Sequence, residues 1–125
     1  VKGAVLDSGA LIAFHRNDRR VVAIVARAVE HGDSLVVPAG VVAQVWRDGR
    51  KQARLARLLG SPVCEVAPLD DAFARSVGQV IGMTRVHDVV DISVALTARS
   101  RRMNLVTSDP DDMRRIDARL SIVAI

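Results

Sequence analysis

The chain has 125 residues, half of them hydrophobic, with a single cysteine and a formal net charge of +4. This length excludes two full domains and suits one unit over 1–125, whose core needs no structural metal; Cys64, alone, has no internal disulfide partner and calls for no oxidising compartment. The opening VKGAVLD has too short an apolar run for a leader, and no run approaches the ~20 residues of a membrane span, so a cytoplasmic protein without membrane association is expected.

Short apolar runs alternate with helical patterns from end to end, which predicts an α/β fold with a mainly parallel central sheet of about five strands flanked by helices. The first strand covers 3–6 and ends at Asp7, with a helix over 8–14. A second helix covers 20–30, where Val21, Val25, Ala28 and Val29 recur at helical spacing and His31-Gly32 supplies the stop. A strand over 34–37 closes at Pro38, and a helix over 40–46 is broken by Gly49. The helix over 51–59 sets Leu55, Leu58 and Leu59 on one face and an arginine stripe, Arg50, Arg54 and Arg57, on the other. Then come a strand over 64–67, helices over 70–81 and 88–101, a strand over 105–107, a helix over 110–116 and a last strand over 121–125. No longer period recurs, which excludes a repeat architecture.

In a parallel sheet the ligand crevice lies outside the carboxyl ends of the strands, so Asp7 and Thr107-Ser108-Asp109 should face it. Taken singly, each acid there has a structural explanation. Asp7 can cap the helix that follows; Asp88 and Asp91, three apart, resemble a capping box; Asp109 before Pro110, with Asp111 and Asp112 in the first turn, fits a capped helix start. Taken together, so many carboxylates along one sheet edge repel one another unless a cation sits among them, and hard divalent ions are what such oxygen donors hold. Mg2+ or Mn2+ in that position lowers the pKa of a bound water and offsets charge developing on a phosphodiester. His15, His31 and His87 are scattered without zinc-ligand spacing. Phosphate-loop, dinucleotide-binding and nucleophile-elbow motifs are absent, and the lysine that a phospho-acceptor domain needs near its last strand is missing.

Sixteen of the eighteen basic residues are Arg and twelve of the fourteen acids are Asp. Arginine's planar fork suits phosphate, which favours a nucleic-acid partner, although a GC-rich genome produces the same bias. Phe14, Trp46 and Phe73 are the only aromatics, too few for base-stacking platforms.

Four segments, VLDSGALIA, VPAGVVAQVWR, DVVDISVALTAR and LVTSDPDDM, resemble in order and spacing the acidic motifs of PIN-domain ribonucleases, most closely the VapC-type toxins of bacterial toxin-antitoxin pairs. The resemblance covers essentially the whole chain and implies a PIN-like fold. It assigns Asp7, Asp91 and Asp109 as catalytic metal ligands, with Asp88 and Asp112 as further acids of the metal site. Ser8 and Thr107 are supporting residues, the latter holding an acid in place, and Met113 stands where the family carries an aromatic. The second family acid, normally Glu, is Gln44 here, which keeps an oxygen acceptor without the charge and should weaken metal affinity unless Asp88 compensates. The implied activity is Mg2+- or Mn2+-dependent endonucleolytic cleavage of tRNA or ribosomal RNA. The implied partners are a VapB-type antitoxin and a second copy of the chain, and Arg50, Arg54 and Arg57 are the candidate RNA-binding residues. The alternative is a PIN-like module that binds RNA or a protein without cutting.

Overall fold

The computed structural model describes residues 3–125, leaving Val1 and Lys2 of the opening segment outside the described residues. The elements are β1 (Ala4–Leu6), α1 (Ser8–His15), α2 (Arg19–His31), β2 (Leu35–Pro38), α3 (Ala39–Val45), α4 (Ala53–Leu59), β3 (Cys64–Ala67), α5 (Asp71–Thr84), α6 (Val89–Arg101), β4 (Asn104–Thr107), α7 (Pro110–Ile116) and β5 (Ile122–Ala124). The α/β alternation is as expected, and the five strands form one fully parallel sheet in the order β3-β2-β1-β4-β5. No helix among the described residues is long and apolar enough to cross a membrane.

Continuous apolar runs form the central strands because a parallel sheet is covered on both faces. Every residue of β1 and β2 is buried, whereas Glu65 and Val66 of the edge strand β3 are exposed. Helix α6 packs against β1, β2 and β4 and buries Ile92, Val94, Ala95 and Ala98. From β1 the chain builds outward through β2 and β3 on one side and through β4 and β5 on the other. The switch point therefore lies between β1 and β4, where a crevice opens beyond the strand ends. Leu6 pairs with Val106, and the Asp7 N–H donates to the Val106 carbonyl at 3.2 Å. Asp7 and the 107–109 segment thus leave the sheet side by side.

Several helix ends follow local chemistry that the sequence displays. Gly32 takes the left-handed conformation at φ 67° and closes α2, the conformation that glycine adopts at least cost. Helix α5 runs to Thr84, past the predicted end at 81, and Arg85 turns left-handed after it.

The 46–52 segment departs most from expectation. Helix α3 stops at Val45, with Trp46 already extended, so Gly49 is not its breaker. The terminator is Gln52: its Nε2 donates to the Val45 carbonyl at 2.9 Å while its Oε1 accepts from the Arg47 and Asp48 N–H groups at 2.7 and 3.2 Å. One amide side chain thereby satisfies a helix end that glycine would otherwise close. Helix α4 consequently begins at Ala53 rather than at 51, and Arg50 sits in the preceding turn, its N–H donating to Asp48 Oδ1 at 2.9 Å. The predicted arginine stripe along one helix face is corrected accordingly: only Arg54 and Arg57 lie on α4, and Arg54 is half-buried.

Candidate active site

Asp7 ends β1 and caps α1, its Oδ1 accepting from the Ala10 N–H at 2.8 Å. The capping role is real, and the carboxylate is also only 4% exposed at the switch point. Burial pushes its pKa above the usual range and the Asp109 charge adds to this, opposed by the Thr107 hydroxyl and the Ala10 and Ser108 N–H groups. A capping carboxylate and a site carboxylate are one group here, because the helix begins at the sheet's rim.

Asp88 caps α6, with Oδ1 accepting from the Asp91 N–H at 2.9 Å. Asp91 follows in the first turn, and its pKa is pushed up to about 6, first by burial and then by the charges of Asp88, Asp7, Asp112 and Asp109. Those five acids come from the ends of β1 and β4 and the starts of α6 and α7, so the fold gathers around Asp91 what the chain keeps apart. Like charges held this close favour protonation or a shared cation.

Asp109 differs from its expected role. Its carboxylate makes no cap bond to α7; instead its own N–H donates to Thr107 Oγ1 at 2.9 Å, and Ser108 Oγ approaches its Oδ2 at 3.5 Å. The Asp109 carboxylate is thus left exposed and uncommitted at the rim. Thr107, wholly buried, has a hydroxyl that serves both Asp109 and Asp7. Asp112 lies 3.5 Å from Arg115, a loose pair on an open surface. Asp111 faces Arg114 at 3.6 Å with its side chain 91% exposed, and it is not among the charges acting on Asp91. Met113 is buried in the core rather than displayed at the site.

Gln44 is brought to the same rim by α3. The Ser8 hydroxyl donates to its Oε1, linking the start of α1 to the last turn of α3. Helix α3 reaches α6 closely because Gly40 faces Val90: a Cβ at Gly40 would stand 3.0 Å from Val90 Cγ2. Arg50, Arg54 and Arg57 are not part of this cluster; α4 packs on α1 and β3 instead.

One contributor, Gly9, went unread in the sequence. A Cβ at Gly9 would overlap the Ser108 side chain, so the glycine after Ser8 is what lets the β4 end close onto α1. Ser108 itself contacts both acids. The available signal was a Gly directly after the Asp-Ser pair at a helix start, where alanine would serve the helix better.

The donor set suits a hard divalent cation: carboxylate oxygens that repel one another, one amide oxygen, and no imidazole or thiolate among them. Among the described residues no three His, Cys, Asp or Glu side chains are grouped closely enough to hold one ion as placed. The fit is therefore one of charge and donor chemistry.

The family model described as PIN domain matches residues 4–119. Among solved structures, the chain is similar to one of VapBC2 from Rickettsia felis bound to a DNA fragment from their promoter, at TM-score 0.76 and 13% identity, covering 98% of each chain. It is also similar to a chain of FitAcB from Neisseria gonorrhoeae, at TM-score 0.65 and 19% identity over 95% of each chain. A structure of FitAB bound to the IR36 DNA fragment matches at TM-score 0.65 and 18% identity, covering 97% of this chain and 94% of that one. Identities this low speak to the shared fold. No curated protein matches the sequence.

Proposed function

The chain belongs to the PIN-domain family, and from that premise we propose that it is a metal-dependent endoribonuclease, a single PIN domain over 1–125 acting as the VapC-type toxin of a toxin-antitoxin pair. PIN domains are generally nucleases and typically use divalent metal ions. The observation that carries the reading for this chain is the meeting of Asp88 and Asp91, at the start of α6, with Asp7, Asp109 and Asp112 from the ends of β1 and β4 and the start of α7, near enough for each charge to act on Asp91. A fold that needed these acids only as caps has no reason to aim them at one another.

In this reading Asp7, Asp91 and Asp109 would hold Mg2+ or Mn2+, with Asp88 and Asp112 assisting through water. The ion, when bound, would supply a water of lowered pKa and offset charge on the phosphodiester. The chain's own residues prepare that chemistry. Thr107 and the Ala10 and Ser108 N–H groups bond the Asp7 carboxylate and counter part of the rise in pKa that burial imposes. Ser8 directs its hydroxyl at Gln44 Oε1, which fixes the amide in place. The Asp91 carboxylate, half-buried among the other acids, is held where a bound cation would relieve their mutual repulsion. The substrate is RNA, with tRNA or ribosomal RNA as the targets, and the protein acts in the cytoplasm.

The partner is a VapB-type antitoxin, in keeping with the FitAB and VapBC2 neighbours, which were solved bound to DNA. The assembly is a homodimer, as the family resemblance implies; Met83 at the end of α5 and Val89 at the start of α6 are exposed apolar side chains that a second copy would cover.

The test is cleavage of structured RNA with and without Mg2+ or Mn2+, for the wild type and for Asp7→Asn and Asp91→Asn. Metal-dependent cleavage that each change lowers by at least about a hundredfold supports the reading. RNA binding without cleavage at any metal concentration would instead establish the inert module, which the neutral Gln44 favours.

A further inference from the structure

Outside the acid cluster, one cleft gathers only basic and neutral groups. It lies where the end of α1 meets α4, has a volume of about 350 Å³, and is lined by His15, Arg16, Asn17, Lys51, Arg54 and Arg57. No carboxylate lines it, and none of its four Arg and Lys residues forms an ion pair among the described residues. Every arginine that does form one lies between positions 75 and 119.

Two atoms there are anomalous. Arg54 Nη1 and His15 Nδ1 are shielded from solvent and have no hydrogen-bond partner; they are the only such side-chain atoms among the described residues. A shielded guanidinium N–H without an acceptor is costly, and structures rarely keep one unless water or an anion completes it. Arg54 and Arg57 stand three apart on α4, one turn from each other, with Lys51 a turn earlier in the chain. Several cations converging on one concavity match an anion with several acceptor oxygens better than they match a single carboxylate.

We infer that this cleft is a phosphate-binding subsite that holds the backbone of the nucleic acid a few nucleotides from the bond being cut. The placement supports nucleic acid over an acidic peptide. Helix α1 begins at Asp7 in the acid cluster and ends at His15 in the cleft, a span of about 11 Å at 1.5 Å per residue. One strand can therefore occupy both, with one phosphate at the acids and a later one at Arg54. The inference rests on the nuclease reading for its substrate, but its test does not depend on cleavage.

Inorganic phosphate is titrated into the full-length protein while the His15 ring resonances are followed by NMR, assigned with His15→Gln. A single-stranded RNA is then bound in EDTA over a range of salt. The variants are Arg54→Gln, Arg54→Lys, the exposed pair Lys51→Gln with Arg57→Gln, and Arg75→Gln as a control of equal charge elsewhere. The expected result is a saturable His15 shift that the double variant abolishes. The double variant's salt slope should fall by about 1.4, since each lost single-strand phosphate contact removes roughly 0.7. Arg54→Lys should weaken RNA binding about tenfold by losing the fork while keeping the charge, and Arg75→Gln should match the wild type. An unmoved His15, an equal loss in Arg75→Gln, or a Glu-rich peptide that shifts His15 where RNA does not would each overturn the proposal. A wild type that shows the salt-slope pattern but never cleaves retains the subsite and removes the nuclease reading. Cleavage with unchanged slopes does the reverse.

Discussion

Asp91 pays for its neighbours in stability. Its carboxyl has a folded pKa of about 6 against an ordinary 3.8, so the native state binds this proton more tightly than the unfolded chain does. The resulting stabilisation is present below about pH 4, is lost as pH rises through about 6, and stays absent above that. Asp91→Asn should accordingly raise the melting temperature at pH 8, by an equivalent of about 1 kcal/mol once partial exposure is discounted, and leave it unchanged near pH 4. Thermal melts at the two pH values check this, and a destabilised variant at pH 8 would contradict it. Gln44 offers the opposite experiment. Ser8 can donate to a carboxylate as well as to an amide, so Gln44→Glu keeps its hydrogen bond while adding a hard charged donor. Mn2+ should bind about tenfold tighter by calorimetry, and the metal-free protein should melt earlier because one more like charge joins the rim. Unchanged affinity would place Gln44 outside the metal shell.

At the scale of elements, Arg101 ties the last turn of α6 to the edge strand β3, with two hydrogen bonds to Glu65 of 2.8 and 2.6 Å. Those bonds, before any longer-range attraction, hold the Glu65 carboxyl below its usual range. The stabilisation from this acid is present above its ordinary value of 4.5 and disappears as pH falls through the folded value. Both side chains are well exposed, so Glu65→Gln should cost no more than about 1 kcal/mol in urea melts at pH 7, and progressively less as pH falls below 4.5. The alternation of strands and helices was legible because a doubly covered parallel strand must be apolar throughout, and the 64–67 strand and 110–116 helix fell where expected. The break between α3 and α4 was legible too, but not its cause or its exact bounds, since these depend on Gln52 reaching back seven residues to Val45. The arginine stripe failed for the same reason: its helix begins later than the pattern implies. In the site, Asp7 and Asp91 could be read from motif and spacing. That Asp109 spends nothing on capping α7, and that Gly9 yields room to Ser108, depend on strands far apart in the chain lying side by side.

At the scale of the whole molecule, charge is segregated: every ion pair among the described residues takes its arginine from the α5-to-β5 half, with Glu65 of β3 the one acid drawn from outside it, while the basic residues of α1, α2 and α4 form none. The exposed Met83 and Val89 lie in the paired half. If two copies meet there, Met83→Glu should leave a monomer in sedimentation at micromolar concentration with its melting temperature little changed, because Met83 is 76% exposed in the single chain. A dimer that survives the change would move the interface elsewhere. The fully parallel sheet has a further consequence, in the order of synthesis. Each strand waits for a crossover before its neighbour arrives, and β4, which lies beside β1 and delivers Thr107 and Asp109, comes nearly a hundred residues after Asp7. A chain still being made therefore has Asp7 and Asp91 but no fourth strand to bring Asp109 against them. The proposed metal site therefore cannot close on Asp109 until β4 has been made and has found its place beside β1.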